Sequence, residues 1–288
     1  MRINAYILVA DPAWIEASIA SYYDIVENII VSYDKEGIGY TGLPVSVGEC
    51  LRRLSVIDKD HKLIYSPGHY ARLSHTPMEN ETYQRQCALD EASKTSDWVI
   101  QLDTDEVMND LSVFSSCLQQ ADELDFSGLD FPARWLYQSI GKDWYLEWCT
   151  RFWGLFAGYP GCMAVKSGSV LKHARQCDTT IYKVDFVSGT ATNSNNKQTA
   201  VHRIIRPNQS IFHYSWVRSE QEMKEKLQSF SHAKDCDWEP QVQRWIWSKK
   251  HPYIATAASV LQRGPHKRHI RPVKVGNHFK NQVNPEQA

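Results

Sequence analysis

The chain has 288 residues, 42% of them hydrophobic and 23% charged, with 14 Gly and 12 Pro. Those proportions exclude disordered, collagen-like and low-complexity chains and fit a globular protein of one large or two small domains. Lys and Arg number 32 and Asp and Glu 33, a net charge of −1, so no global field attracts a polyanion and no nucleic acid is expected as a partner.

Ile3–Val9 is an apolar run of strand length. Asp11-Pro12 then reads as a helix start, with Asp11 as N-cap and Pro12 in the first turn. Ile15, Ile19 and Tyr22 follow at helical spacing. Asn28–Tyr33 is a second buried strand ending at Asp34, and a glycine-rich turn leads to a helix around Val47–Val56. Lys62–Ser66 reads as a third strand, Tyr83–Ala92 as a helix, and Trp98–Leu102 as a fourth strand ending at Asp103. Alternation of this kind predicts an α/β fold: a mainly parallel sheet with helices on both faces. Ligands of such sheets bind beyond the carboxyl ends of the strands. Asp11, Asp34 and Asp103 all fall there.

Beyond about residue 125 the rhythm changes. Short strand-like pieces at Gly128–Phe131, Arg151–Leu155 and Val184–Val187 suggest a smaller mixed part. Ser188–Thr199 reads as a mobile polar loop, and Ser219–His232 as the last clear helix. The expected division is 1–235 as the main domain, with halves at 1–106 and 107–235, and 236–288 as a C-terminal extension. Between Pro240 and Pro285 that extension holds no acidic residue. A loosely docked terminus is the plain expectation. The functional one is a surface for anionic lipid headgroups or a phosphorylated acceptor, giving peripheral membrane contact. Seven cysteines without a C-x-x-C pair suggest free thiols in a reducing compartment. Asp11 interrupts the first apolar run too early for a signal peptide, and no run reaches the roughly 18–20 residues of a membrane helix. Cytoplasmic residence is therefore expected.

The strongest chemical signal is Trp98–Glu106, WVIQLDTDE. Asp103 and Asp105 leave a buried strand two residues apart and can converge on a hard cation, Mn²⁺ or Mg²⁺. A cation at that point would neutralise a departing diphosphate. The stretch Arg85–Glu106 resembles the GT-A glycosyltransferases of the family 2 type: Arg85, Ala88, Leu89, Ala92, Asp97, Trp98, Asp103, Asp105 and Glu106 fit that family's run, with Gln86 and Thr104 as departures. Glu16 and Ser21 on the first helix fit more loosely. After Asp34 the chain reads Lys35-Glu36-Gly37 instead of the family's usual Asp-Gly-Ser-x-Asp continuation. Arg151-Phe152-Trp153 and the segment IFHYSWVRS at 211–219, followed by Lys226, resemble later elements of such enzymes.

The resemblance implies a GT-A fold and an inverting, metal-dependent transfer of sugar from a nucleotide-sugar donor to a glycan or lipid-linked acceptor, in surface-glycan synthesis. Asp11, Asp34, Arg85 and Asp103 would hold the donor, and Asp103, Asp105 and His213 the metal. The general base would be Glu147 or Asp185, with Asp143 also in the Trp-rich stretch beside Glu147. A nucleotidyltransferase on a related sheet and a catalytically silent carbohydrate-binding protein are the competing expectations.

Overall fold

The computed structural model describes residues 1–186, 200–233, 235–262 and 268–276. The expected loop 188–199 lies outside them. In chain order the first half gives β1 Ile3–Leu8, α1 Ile15–Ala20, β2 Ile29–Asp34, α2 Val47–Ile57, β3 Leu63–Gly68, α3 Pro77–Ser93, β4 Trp98–Gln101, β5 Glu106–Met108 and α4 Leu111–Glu123. There follow β6 Gly128–Asp130, β7 Ala133–Gly141, β8 Trp144–Cys149, β9 Ala164–Lys166, β10 Leu171–His173, β11 Gln176–Cys177, β12 Ile181–Phe186, β13 Val201–Ile205 and β14 Ile211–His213. Last come α5 Glu220–Ser229, α6 Glu239–Lys250, α7 Pro252–Leu261 and β15 His269–Lys274.

Eight strands form one twisted sheet in the order β13-β12-β6-β9-β4-β1-β2-β3. All pairings are parallel except those of β9, which runs against β4 and β6. Side chains alternate across a strand, and β1 uses both faces. Ile3, Ala5 and Ile7 pack with Ile15, Ile19, Leu54 and Phe114 of α1, α2 and α4. Tyr6 packs on Ala88, Leu89 and Ala92 of α3. The expected fold class, a Rossmann-like α/β arrangement with helices on both faces, is therefore present. No helix among the described residues is long and apolar enough to cross a membrane.

A second sheet of five strands, β15-β8-β7-β14-β5, stands beyond the carboxyl edge of β4. Only its β14–β7 pairing is parallel. Residues 239–262 and 268–276 belong to this body, so these parts of the expected loose extension are packed. β15 pairs with β8 along six residues, and Trp245 of α6 is fully buried against Met223, Leu227 and Val242. Pro272 is accommodated because β15 is an edge strand.

Three further expectations change. The first helix starts at Ile15, not Pro12; Asp11 instead accepts the Ala13 N–H at 3.0 Å in a turn. Arg151-Phe152-Trp153 is a 3₁₀ turn, with Phe152 and Trp153 both at φ 61°. α3 begins earlier than expected because Thr76 and Glu79 close a capping box in front of Pro77.

Candidate functional site

The carboxyl ends of β1 and β4 and the segment after β14 bring five charged or imidazole side chains onto the D-x-D turn. The register explains how. β14 pairs with β5 so that His213 lies opposite Glu106, and with β7 so that His213 lies beside Trp135. The chain then turns through Tyr214, whose N–H donates to the Asp105 carbonyl at 2.8 Å. Ser219 caps α5 and presents Lys226 from its side.

Asp105 lies at the centre. Its Oδ2 accepts from Lys226 Nζ at 2.6 Å and from Arg218 Nη2 at 2.9 Å, while Oδ1 faces His213 Nε2 at 3.2 Å. Burial disfavours the charged carboxylate, but Lys226, His213 and Arg218 outweigh it and hold Asp105 well below the usual carboxylate range. Arg218 also reaches Asp11, 2.8 Å from Oδ2, so the expected donor-binding Asp11 joins the same group through a residue 207 positions away.

Asp103 faces the other way. Its Oδ1 accepts from Arg85 at 2.7 Å, and Arg175 stands 3.5 Å from Oδ2. Burial again opposes ionisation, and Arg85 and Arg175 again hold the carboxyl below its usual range. Arg85, 4% exposed, bridges Asp103 and Glu81. Its remaining amino group, Nη1, is buried without a hydrogen-bond partner. Glu106 is fully buried and takes Arg175 on both oxygens, at 2.6 and 2.7 Å. The side chains of Asp11 and Asp103 are each 29% exposed, which makes them the open carboxylates of the crevice.

An aromatic wall borders His213. Trp135 stacks on Trp148 with centroids 4.9 Å apart and planes 7° apart. Trp148 lies near Tyr137 and Trp216, and Trp216 near Trp238. The wall depends on Gly158: a Cβ there would fall 1.9 Å from Trp135 Nε1.

The expected metal trio is only partly assembled. Asp105 and His213 meet, but Asp103 turns to Arg85. Among the described residues no three His, Cys, Asp or Glu side chains are arranged to hold a metal ion. One oxygen of Asp105 is already committed to two cations. The donor set thus does not fit a resident divalent ion, and the local counter-charge is supplied by Arg218, Lys226, Arg85 and Arg175.

Three other expected site residues do structural work. Asp34 receives four backbone N–H groups: Glu36 at 3.0 Å and Ile38 at 3.4 Å on Oδ1, and Tyr70 at 2.8 Å and Ala71 at 3.2 Å on Oδ2. It pins two loops and has no free oxygen to offer a nucleotide. Glu147, 2% exposed, is held between Arg134 at 2.6 Å and Arg271 at 2.6 Å, so it is no free base. Asp185 is buried at the end of β12 and accepts the Phe186 N–H at 2.7 Å. Two strands separate β12 from β4, about 14 Å at the usual strand spacing, which takes Asp185 away from the D-x-D. Asp143 occupies the β7–β8 turn at φ 62°. Sequence reasoning missed Arg175, whose short hairpin carries no periodic signal, and the pairing of Trp135 with Trp148.

No protein-family model matches the chain, and no curated protein sequence does. Among solved structures, mannose-6-phosphate isomerase from Helicobacter pylori is similar at 13% identity, over 50% of this chain and 53% of that one, with a TM-score of 0.29. The 4-diphosphocytidyl-2C-methyl-D-erythritolsynthase from Anaerococcus prevotii DSM 20548 is similar at 15% identity, over 49% and 57%, with a TM-score of 0.29. The chain thus spans little more than half of either structure, at a likeness that carries no functional argument.

Proposed function

We propose that the protein is a glycosyltransferase of the GT-A kind, moving a sugar from a nucleoside-diphosphate donor to an acceptor hydroxyl. The observation that carries this reading is the D-x-D turn at the carboxyl end of β4, met by Arg218 and Lys226 and bordered by tryptophans. In this reading the diphosphate lies against Arg218 and Lys226. Fixed cations aimed at the charge that develops on departure lower the barrier, because they need no reorganisation as the bond breaks. The pair with Asp105 keeps both side chains in place before the donor arrives. Sugar rings present C–H faces that stack on indoles, so the Trp135–Trp148–Trp216 wall suits a glycan acceptor or the donor sugar. In this reading the acceptor's proton passes to Asp11, whose side chain is 29% exposed and has one guanidinium beside it, whereas Asp103 is held by two.

The tryptophan wall taken alone also favours a carbohydrate-binding protein without catalysis. One experiment separates the two readings. UDP-, GDP- and dTDP-sugars are screened by calorimetry, and nucleoside diphosphate release is followed for any that bind. A donor that binds and is hydrolysed, with Lys226→Met reducing both, supports the transferase. Binding of free oligosaccharides with no response to any nucleotide would overturn it in favour of the binding protein.

A further inference from the structure

A second group of reactive side chains lies where the segment before β9 meets the separate two-stranded sheet of β10 and β11. Cys162 precedes β9 and Cys177 ends β11, and their sulfur atoms are 3.7 Å apart. The approach is built into the backbone. Gly161 and Arg175, the neighbours of the two cysteines, form a parallel bridge. Gly161 has φ +131°, and a Cβ on it would lie 2.8 Å from Arg175 Cβ. Only glycine lets the two segments come this close, so the contact between the thiols is a fixed feature of the fold.

The two thiols are not equivalent. Cys162 is 2% exposed. Cys177 is half-buried and lines an open surface depression together with Gly168, Ser169, Lys172 and Thr179. The other buried cysteines, Cys50, Cys117 and Cys149, have their thiols pushed up by burial, which keeps them unreactive. Within the pair the Cys162 thiol is pushed well up, first by its contact with Cys177 and then by burial, while the same contact holds Cys177 below the usual thiol range. Asp130, at the carboxyl end of β6, lies beside the Cys162 thiol.

We infer that Cys162 and Cys177 form a thiol–disulfide couple, in which Cys177 meets a small-molecule disulfide such as glutathione disulfide and Cys162 resolves the product. The Cys177 thiolate attacks one sulfur of the incoming disulfide, forming a mixed disulfide and releasing one thiolate. Cys162 then gives its proton to Asp130 and attacks the Cys177 sulfur. That step forms the Cys162–Cys177 bond and releases the second thiolate. Two protein thiols are oxidised, one small disulfide is reduced to two thiols, and both protons leave with them. The two sulfur atoms, 3.7 Å apart, need to approach by less than 2 Å to reach a disulfide bond of about 2.04 Å. The consequence reaches the crevice. Arg175, two residues before Cys177, carries the bidentate bond to Glu106, so closing the couple fixes the segment that supplies this cation. The couple does not depend on which reaction the crevice performs.

The test uses full-length protein carrying Cys236→Ser, which removes the exposed thiol. It is incubated with glutathione disulfide and then mapped by peptide mass spectrometry. The expected product is one cross-linked peptide joining Cys162 to Cys177. Cys162→Ser should stop at a glutathione adduct on Cys177. Cys177→Ser should leave Cys162 unmodified. Recovery of both thiols free after oxidation of the Cys236→Ser protein overturns the couple. Modification of Cys162 in the Cys177→Ser variant overturns the assigned order of attack.

Discussion

Replacing Asp34 with alanine should unfold the protein more readily and should leave nucleotide affinity nearly unchanged in the molecules that remain folded. Four backbone N–H groups lose their acceptor together. The Tyr70 bond is buried, and an unsatisfied buried donor costs about 1–3 kcal/mol. The other three are part-buried, so water replaces the carboxylate in part, at about 0.5–1 kcal/mol each. The sum is about 2.5–6 kcal/mol. For a domain somewhat smaller than this one, each kcal/mol moves Tm by about 2–4 °C, so the melting point should fall by roughly 5–24 °C. Asp34→Asn keeps one acceptor oxygen and should lose about half as much. Thermal melts followed by circular dichroism give the stability, and calorimetry with the donor that the nucleotide screen identifies gives the affinity. A variant that melts within about 2 °C of the parent yet binds that donor tenfold more weakly refutes the argument. Asp34 would then be a nucleobase or ribose contact, and the four N–H groups would have found other partners.

Nucleoside diphosphate binding should survive EDTA, because Arg218 and Lys226 already stand at Asp105; a tenfold loss in EDTA, restored by Mn²⁺, would hand Asp105 and His213 to a metal ion. Lys226→Met should weaken that binding roughly tenfold to a hundredfold, the worth of one charge-assisted hydrogen bond, and calorimetry at fixed salt measures it. Asp130 has its carboxyl pushed up from 3.8 to about 6, chiefly by burial, with the Cys162 thiol and Lys183 pulling it partly back. A raised carboxyl favours the folded state fully below about pH 4, and that contribution is lost as pH rises through about 6. Asp130→Asn should therefore be more stable than the parent at pH 8, by up to about 3 kcal/mol, with the advantage gone at pH 4. Identical melting differences at the two pH values would show that Asp130 does not titrate in that range.

The four strands of the first hundred residues could be read from the sequence because each is a short, mostly apolar run between turn residues. The D-x-D could be read because its strand ends directly at it. What surrounds it could not. Arg175 directly precedes a strand of two residues, too short for any period to mark. Asp34 stands where a ligand residue would stand, and its true partners, the N–H groups of Tyr70 and Ala71, lie more than 30 positions away and leave no trace in composition. Glu147 looked free beside Trp144 and Trp148, since nothing local foretells Arg271. The residues after Pro240 read as loose because acidic side chains are absent between there and Pro285, yet charge says little about packing when Trp245 lies fully buried.

The last described strand has a consequence for how the molecule is assembled. During synthesis β8 emerges 124 residues before the Arg271 that will pair with its Glu147. For that interval one edge of the small sheet has open backbone groups, and Glu147 has a single guanidinium beside it. Such an edge is an invitation to neighbouring chains. A nascent chain can complete its large sheet first, because β13, its last strand, ends at Ile205. The wall of tryptophans then reaches its final form only when β15 arrives. Any slowing of translation over residues 206–268 would lengthen the time during which the half-finished protein is exposed to aggregation, and an expression host with holdase chaperones should raise its yield.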